Sequence, residues 1–118
     1  ARGFAEMTRF GLARGAQPET LAGLSGLGDL VLTCSSTSSR NFSLGKGLGQ
    51  GRPASELMSD RRTVAEGAFT APVLRRLAEE EGIDMPIVAA VDDLLAGRAQ
   101  VDEVLERLLS RPLRPERA

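Results

Sequence analysis

Histidine is absent from this chain of 118 residues, and cysteine occurs once, at Cys34. Without histidine the chain lacks the commonest general base and the commonest metal ligand. A Ser-His-Asp triad, a Cys-His pair and an HExxH zinc site are therefore excluded. One cysteine also excludes an internal disulfide framework and a four-cysteine zinc site. If a catalytic lysine is needed within the chain, Lys46 is the only candidate.

Aromatic side chains are few, and neither sign of charge is in large excess. Tyr and Trp are absent and the aromatic fraction is 3%, which leaves little surface for stacking on nucleic-acid bases. The 15 basic and 16 acidic residues give a net charge of −1, so we expect no broad electrostatic binding of nucleic acid. No apolar run approaches the ~18 residues that suggest a transmembrane helix, and we see no signal peptide.

Leucine and alanine are abundant while isoleucine and valine are sparse, which favours helices over strands. A chain of this length can form one domain with its own core. We therefore expect an all-α domain of about six or seven helices over residues 1–118. The chain starts at Ala1 within a helical pattern and has no capping residue before it, which predicts a piece of a longer protein.

The stretch 25–35 (SGLGDLVLTCS) is the first to carry chemical information. Its apolar residues recur at i, i+3, i+4 and i+7, as Leu27, Leu30, Val31 and Cys34. This spacing predicts a helix that Ser25 caps, with the thiol packed on the apolar side. Asp29 and Thr33 then share the opposite side. Such a polar pair faces either water or a binding site, and composition alone favours water.

A polar segment, 35–41 (SSTSSRN), leads into the next predicted helix. Ser38 or Ser39 can cap that helix, which places Ser39, Arg40 and Asn41 at its start. A helix N-terminus offers unpaired N–H groups and a positive dipole, and arginine adds a planar fork that suits phosphate. An ordinary cap with a surface arginine explains the same residues, and composition alone favours that simpler interpretation.

Two later segments contain a further candidate site residue, Glu66, and a predicted helix start, at Thr70. Glu66, in VAEG, can accept hydrogen bonds from a ribose, although glutamate in such a place is more often a surface charge. Thr70 is expected to cap a helix over 71–81, since Pro72 disfavours helix immediately before it.

The glycine-rich segment 45–51 (GKGLGQG) does not match the GxGxxG spacing and follows no predicted strand, so we do not interpret it as a nucleotide-binding loop. Glycines inside a helix weaken it, and they usually signal close packing or irregularity.

The block GLGDLVLTC (26–34), followed by SSTSSRN (35–41), resembles the C-terminal helical domain of bacterial NAD(P)-dependent glycerol-3-phosphate dehydrogenase. ARGFAEMTRFG is similar to the opening helix of that domain, and GLGQG, VAEG and EEGIDMPI are similar to its later segments. The resemblance covers most of the chain. It implies an all-helical fold like the C-terminal domain of 6-phosphogluconate dehydrogenase.

The same resemblance implies the substrate-binding half of a cytoplasmic enzyme. That enzyme would interconvert dihydroxyacetone phosphate and sn-glycerol 3-phosphate with NAD or NADP and feed glycerophospholipid synthesis. No metal ion is implied.

By position, the resemblance assigns roles to single residues. Asp29 would hydrogen-bond the hydroxyl end of the substrate near the catalytic lysine, with Thr33 beside it, and these two are the catalytic positions within the chain. The residues that would hold the glycerol phosphate are Ser39, Arg40 and Asn41. Arg40 would also reach the cofactor, and Val64 and Glu66 would border the dinucleotide.

Two parts of that enzyme fall outside this chain. In the family, the catalytic lysine lies upstream of the Arg-Gly that corresponds to Arg2-Gly3, and Lys46 does not occupy its position. The nucleotide-binding Rossmann domain also precedes this segment. The resemblance therefore implies that the chain is inactive alone and has its own N-terminal domain as a partner. Loss of that domain uncovers apolar surface and favours self-association, so a homodimer is an open expectation.

Two other functions stay open at this point. One is a non-enzymatic helical module for dimerisation or interaction. The other is the helical domain of a related dehydrogenase that acts on another phosphorylated or acidic hydroxy compound. The sequence upstream of Ala1 would separate them, because a βαβ unit with GxGxxG and a lysine there would support the dehydrogenase.

Overall fold

The computed structural model describes residues 1–35, 40–59 and 65–112, and these residues form helices with no strand among them. In chain order the helices are α1 (Arg2–Ala13), α2 (Pro18–Leu21), α3 (Asp29–Cys34), α4 (Arg40–Gly49), α5 (Ala54–Leu57), α6 (Gly67–Glu81), α7 (Pro86–Leu95) and α8 (Val101–Leu109). A π-helical segment, Leu24–Gly28, runs directly into α3. The predicted all-α fold is confirmed. None of the helices in this part of the chain is long and apolar enough to cross a membrane.

The helices pack in two groups, and the main contact between the groups is that of α1 with α7. The first group runs from α1 through α2, the π-helical segment and α3 to α4 and α5, each against its neighbour, while α6, α7 and α8 form the second. The buried apolar residues are mostly small, and they are Ala5, Ala65, Ala68, Ala71, Ala78, Met85, Ala90 and Val104. Small side chains allow helices to approach closely, so the core depends on backbone proximity.

Glu6 of α1 reaches across to the start of α7. One carboxylate oxygen accepts a hydrogen bond from the Ile87 N–H at 2.7 Å, and the other accepts one from the Val88 N–H at 3.2 Å. Because Pro86 has no N–H, these are the first two donors that the helix start must satisfy. Glu6 is 2% exposed, and this burial raises the pKa of its carboxyl against the lowering effect of the two N–H groups.

An ion-pair network ties α6, α7 and α8 together. Arg75 lies 2.6 Å from the Asp93 carboxylate and 3.2 Å from that of Asp92. Arg98 binds the same two carboxylates at 3.0 Å and 2.7 Å, and Arg107 lies 3.3 Å from Asp93. Hydrogen bonds from Arg75 and then Arg98 lower the pKa of Asp93 to about 2. Ion pairs therefore stabilise the second helix group in addition to the packing of its helices.

The predicted cap at Ser25 is wrong. Ser25 lies inside the π-helical segment, and Gly28 has right-handed helical angles (φ −58°, ψ −48°) that continue into α3. The helix therefore has no free start at which a serine could cap it. Cys34 was predicted to be packed but is exposed, and Val31 on the same predicted stripe is 56% exposed. The described residues leave this side of α3 largely uncovered.

The predicted cap at Thr70 is also wrong, because α6 begins at Gly67. Thr70 lies inside the helix and its hydroxyl donates to the main-chain oxygen of Glu66 at 3.1 Å. Pro72 is accommodated within α6. It removes one main-chain hydrogen bond near the helix start, whereas Ala71, directly before it, is buried. Tertiary packing here outweighs the local preference of the residue that precedes proline.

Replacing Asp93 by asparagine is expected to lower the free energy of unfolding by about 1–3 kcal/mol at pH 7, because charge-assisted hydrogen bonds are lost. Since the folded-state pKa of Asp93 is about 2, against an ordinary 3.8, its contribution is complete above about pH 4 and is lost as the pH falls toward 2. Urea unfolding followed by circular dichroism between pH 7 and pH 3 measures the difference from the unmodified chain.

The control is Asp102→Asn, at an exposed position in the first turn of α8. We expect it to change stability by less than about 1 kcal/mol. Equal losses in both variants, or a deficit in Asp93→Asn that grows on acidification, would contradict the role given to Asp93.

Replacing Glu6 by alanine is expected to cost about 2–4 kcal/mol in the free energy of unfolding, because two N–H donors at the start of α7 lose their acceptors. Glu6→Gln retains one oxygen and should lose less. The control is Glu19→Ala, at an exposed position in the first turn of α2. A Glu6→Ala variant as stable as Glu19→Ala in urea titrations would show that the cap contributes nothing.

Candidate functional site

Five of the seven predicted site residues lie in the described part of the chain, and all five are exposed. Asp29 and Thr33 lie on α3, Arg40 and Asn41 occupy the first turn of α4, and Glu66 directly precedes α6. The other two, Ser39 and Val64, lie outside the described residues, as does the cap expected at Ser38 or Ser39. The prediction that Arg40 and Asn41 lie near the start of a helix agrees with the bounds of α4.

One hydrogen bond joins the first turn of α4 to the first turn of α6. The side-chain oxygen Oδ1 of Asn41 accepts from the Gly67 N–H at 2.9 Å. Glu66, the residue before Gly67, is thereby brought next to the α4 start. Sequence reasoning selected Asn41 and Glu66 separately and missed the bond between their segments, because a separation of 26 positions has no local signature.

Arg40 is exposed at the start of α4, and no carboxylate within the described ranges forms an ion pair with its guanidinium. Most other arginines in those ranges are engaged: Arg14, Arg52, Arg75, Arg98 and Arg107 all bind carboxylates. Arg40 is therefore available to an anion that approaches α4. The helix dipole adds to the attraction at this position.

The Asp29 and Thr33 side chains lie one turn apart on α3. The Thr33 hydroxyl donates within its own helix, to the main-chain oxygen of Asp29 at 2.9 Å and of Leu30 at 3.2 Å. Its oxygen can still accept a hydrogen bond from elsewhere. The Asp29 carboxylate has no hydrogen-bond partner among residues 1–35, 40–59 and 65–112. Both groups can thus meet a molecule placed over α3.

Close packing holds α4 in place below the site. A Cβ on Gly47, the buried glycine of α4, would lie 2.8 Å from a methyl carbon of Leu57 on α5. The expectation that glycines in this segment signal close packing or irregularity is thus met as close packing at Gly47, whereas Gly45 and Gly49 have no such neighbour. The contact with Leu57 fixes α4, and with it the two residues in its first turn, against α5.

The site is open surface in the described part of the chain. A cleft of about 790 Å³ lies between α1, α2 and the α6–α7 turn, but none of the five described site residues lines it. Beside the site, the apolar side chains of Leu24, Val31 and Leu32 are 91%, 56% and 69% exposed. Exposed apolar groups next to an open polar site are typical of a surface that another part of a protein covers.

The chain as a whole is similar to known proteins. The family model for the C-terminus of NAD-dependent glycerol-3-phosphate dehydrogenase matches residues 1–106. Among curated relatives, glycerol-3-phosphate dehydrogenase [NAD(P)+] of Erythrobacter litoralis is 71% identical over 116 residues, and that of Zymomonas mobilis is 60% identical. Each match covers 98% of this chain but 35% and 34% of the relative, so the chain spans about a third of their length.

A solved structure is similar as well. Glycerol-3-phosphate dehydrogenase from Coxiella burnetii matches with a TM-score of 0.86 and 37% sequence identity. The match covers 93% of this chain and 34% of that one. About one third of that larger protein thus has the same arrangement of helices as this chain.

Proposed function

We propose that this chain, which belongs to the family of C-terminal domains of NAD-dependent glycerol-3-phosphate dehydrogenases, is the substrate-binding part of a longer enzyme. The enzyme interconverts dihydroxyacetone phosphate and sn-glycerol 3-phosphate with NAD(P)H and feeds glycerophospholipid synthesis. Residues 1–118 form its helical domain, and a Rossmann domain that precedes them holds most of the cofactor. The relatives are about three times as long as this chain, and the two thirds of their length outside the match leave room for such a domain.

The start of α4 carries the proposal. Arg40 provides a guanidinium without a carboxylate partner in the described ranges, and the Asn41 amide offers its N–H groups because its oxygen is already bound to Gly67. A phosphate dianion is an acceptor only, so it requires several donors and a positive field. The two residues supply both at one helix turn. We assign Ser39, which precedes them, to the same phosphate.

We assign the reacting end of the substrate to α3. The Asp29 carboxylate is placed to accept a hydrogen bond from the substrate hydroxyl, and the Thr33 oxygen can accept a further one. Proton transfer belongs to a lysine in the preceding part of the enzyme, so the chain described here orients the substrate without completing the reaction. It is inactive alone.

The residues around Glu66 fit a nicotinamide dinucleotide. An exposed carboxylate at the start of α6 can accept hydrogen bonds from ribose hydroxyls, and the exposed guanidinium of Arg40 suits a cofactor phosphate. Val64 would border the same group. When bound, the nicotinamide supplies or accepts the hydride. A cytoplasmic location accords with the free, exposed thiol of Cys34.

Arg40→Ala in the full-length enzyme is expected to lower kcat/KM for dihydroxyacetone phosphate about ten- to hundredfold, because a hydrogen-bonded charge contact to phosphate is lost. Arg40→Lys should restore part of the loss, since lysine keeps the charge without the fork. Steady-state kinetics at fixed NADH measures both.

The matched control for Arg40 is Arg76→Ala. Arg76 is also an exposed arginine, but it lies in the middle of α6, away from any helix start. We expect its kcat/KM to stay within about twofold of the unmodified enzyme, as for an ordinary surface change. If the two alanine variants behave alike, the phosphate does not bind at α4.

The 118-residue chain alone is expected to self-associate through the apolar residues beside the site. Leu24→Ser together with Leu32→Ser should weaken this association more than tenfold, because burying a leucine contributes about 1.5–3 kcal/mol. Sedimentation velocity across a concentration series measures the effect, with Leu109→Ser as the control, since Leu109 is 80% exposed on α8. A strict monomer up to millimolar concentration would contradict the expectation, and so would equal weakening by the control.

A further inference from the structure

We propose that Gly67 is a positioning residue for the substrate phosphate. Its N–H binds the oxygen of the Asn41 amide, and the absence of a side chain leaves room for that amide, so that the amide N–H groups remain available. This inference rests on the proposed function of Asn41. In this proposal Gly67 acts on the substrate only through Asn41. The hydrogen bond from the Gly67 N–H to Asn41 Oδ1, at 2.9 Å, is its geometric basis.

The chemistry of the two groups decides how the amide is turned. A main-chain N–H can only donate, so the oxygen of the Asn41 amide must face Gly67. The amide is planar, and its two N–H donors therefore lie on the nitrogen away from that contact. Because phosphate oxygens accept hydrogen bonds, this orientation is the one that binds phosphate, whereas the flipped amide would present its oxygen.

The Asn41 amide occupies the space that a side chain at residue 67 would enter. A Cβ at this position would lie 2.8 Å from Oδ1, 3.2 Å from Cγ and 3.5 Å from Nδ2 of Asn41. The glycine is not needed for its backbone conformation, since Gly67 is not among the glycines with positive φ. It is the first residue of α6, where alanine would be the better helix former. Contact with the Asn41 amide is therefore what a side chain would disturb.

The first experiment measures steady-state kinetics of the full-length enzyme with dihydroxyacetone phosphate and NADH. Gly67→Ala should raise KM for dihydroxyacetone phosphate about tenfold and leave kcat within about twofold, because the displaced amide weakens phosphate binding. The control is Gly49→Ala, because a Cβ on Gly49 in α4 would meet no atom within 4 Å apart from its chain neighbours and the backbone of its own helix. We expect its KM to be unchanged.

A double-mutant cycle separates positioning from any independent effect. Asn41→Ala should raise KM about tenfold, and Gly67→Ala in the Asn41→Ala background should raise it no further, because the residue acts only through that amide. Effects that multiply would overturn the inference. So would an unchanged KM for Gly67→Ala when Asn41→Ala raises it. An unchanged KM for Asn41→Ala would instead overturn the proposed role of Asn41 and this inference with it.

Asn41→Asp provides a second test that does not require the Gly67→Ala variant to fold. Aspartate can still accept the hydrogen bond from the Gly67 N–H, which keeps α6 capped, but it has no N–H groups and repels phosphate. We expect Tm to be retained while KM rises at least as much as in Asn41→Ala. A KM equal to that of the unmodified enzyme would show that the amide donors are not used, and would overturn the inference.

Discussion

The carboxylate of Glu6, buried at the start of α7, fixes how the first helix lies against the last three. Asn41 makes the equivalent link from α4 to the start of α6. Wherever the N-cap residue of an α-helix is described, its own side chain forms no capping hydrogen bond. Side chains from the first helix group thus satisfy helix starts of the second, and the two groups are joined by polar contacts where the core is mostly alanine.

This arrangement also explains where the candidate site lies. The bond between Asn41 and Gly67 crosses from one helix group to the other, so it brings a donor-rich helix start beside the exposed carboxylate of Glu66. The site is therefore built at the junction of the two groups, on the surface. Its open side is flanked by the exposed apolar residues of α3. The proposed reaction would require a second domain to cover this surface and exclude water, and the chain spans about a third of its relatives.

Local sequence patterns were sufficient to predict part of this structure. Composition predicted the all-α fold, and local pattern placed Arg40 and Asn41 near the start of a helix, because both signals depend on neighbours in sequence. Of the α4 glycines, Gly47 packs closely against Leu57, whereas Gly45 and Gly49 do not. The predicted caps at Ser25 and Thr70 failed because both residues lie inside helical segments, which begin at Leu24 and Gly67. The Glu6 cap joins residues 81 and 82 positions apart, and no local pattern encodes such a contact. Roles for the site residues came from family resemblance, since charge and spacing alone favoured ordinary surface groups.

The most direct measurement is a crystal structure of the full-length protein with glycerol 3-phosphate bound. The phosphate is predicted to lie within hydrogen-bond distance of the Arg40 guanidinium and of Nδ2 of Asn41, while Oδ1 of Asn41 still accepts from the Gly67 N–H. The hydroxyl end should point toward Asp29. A phosphate bound away from the start of α4, or an Asn41 amide turned with its oxygen toward solvent, would contradict the assignment of this site.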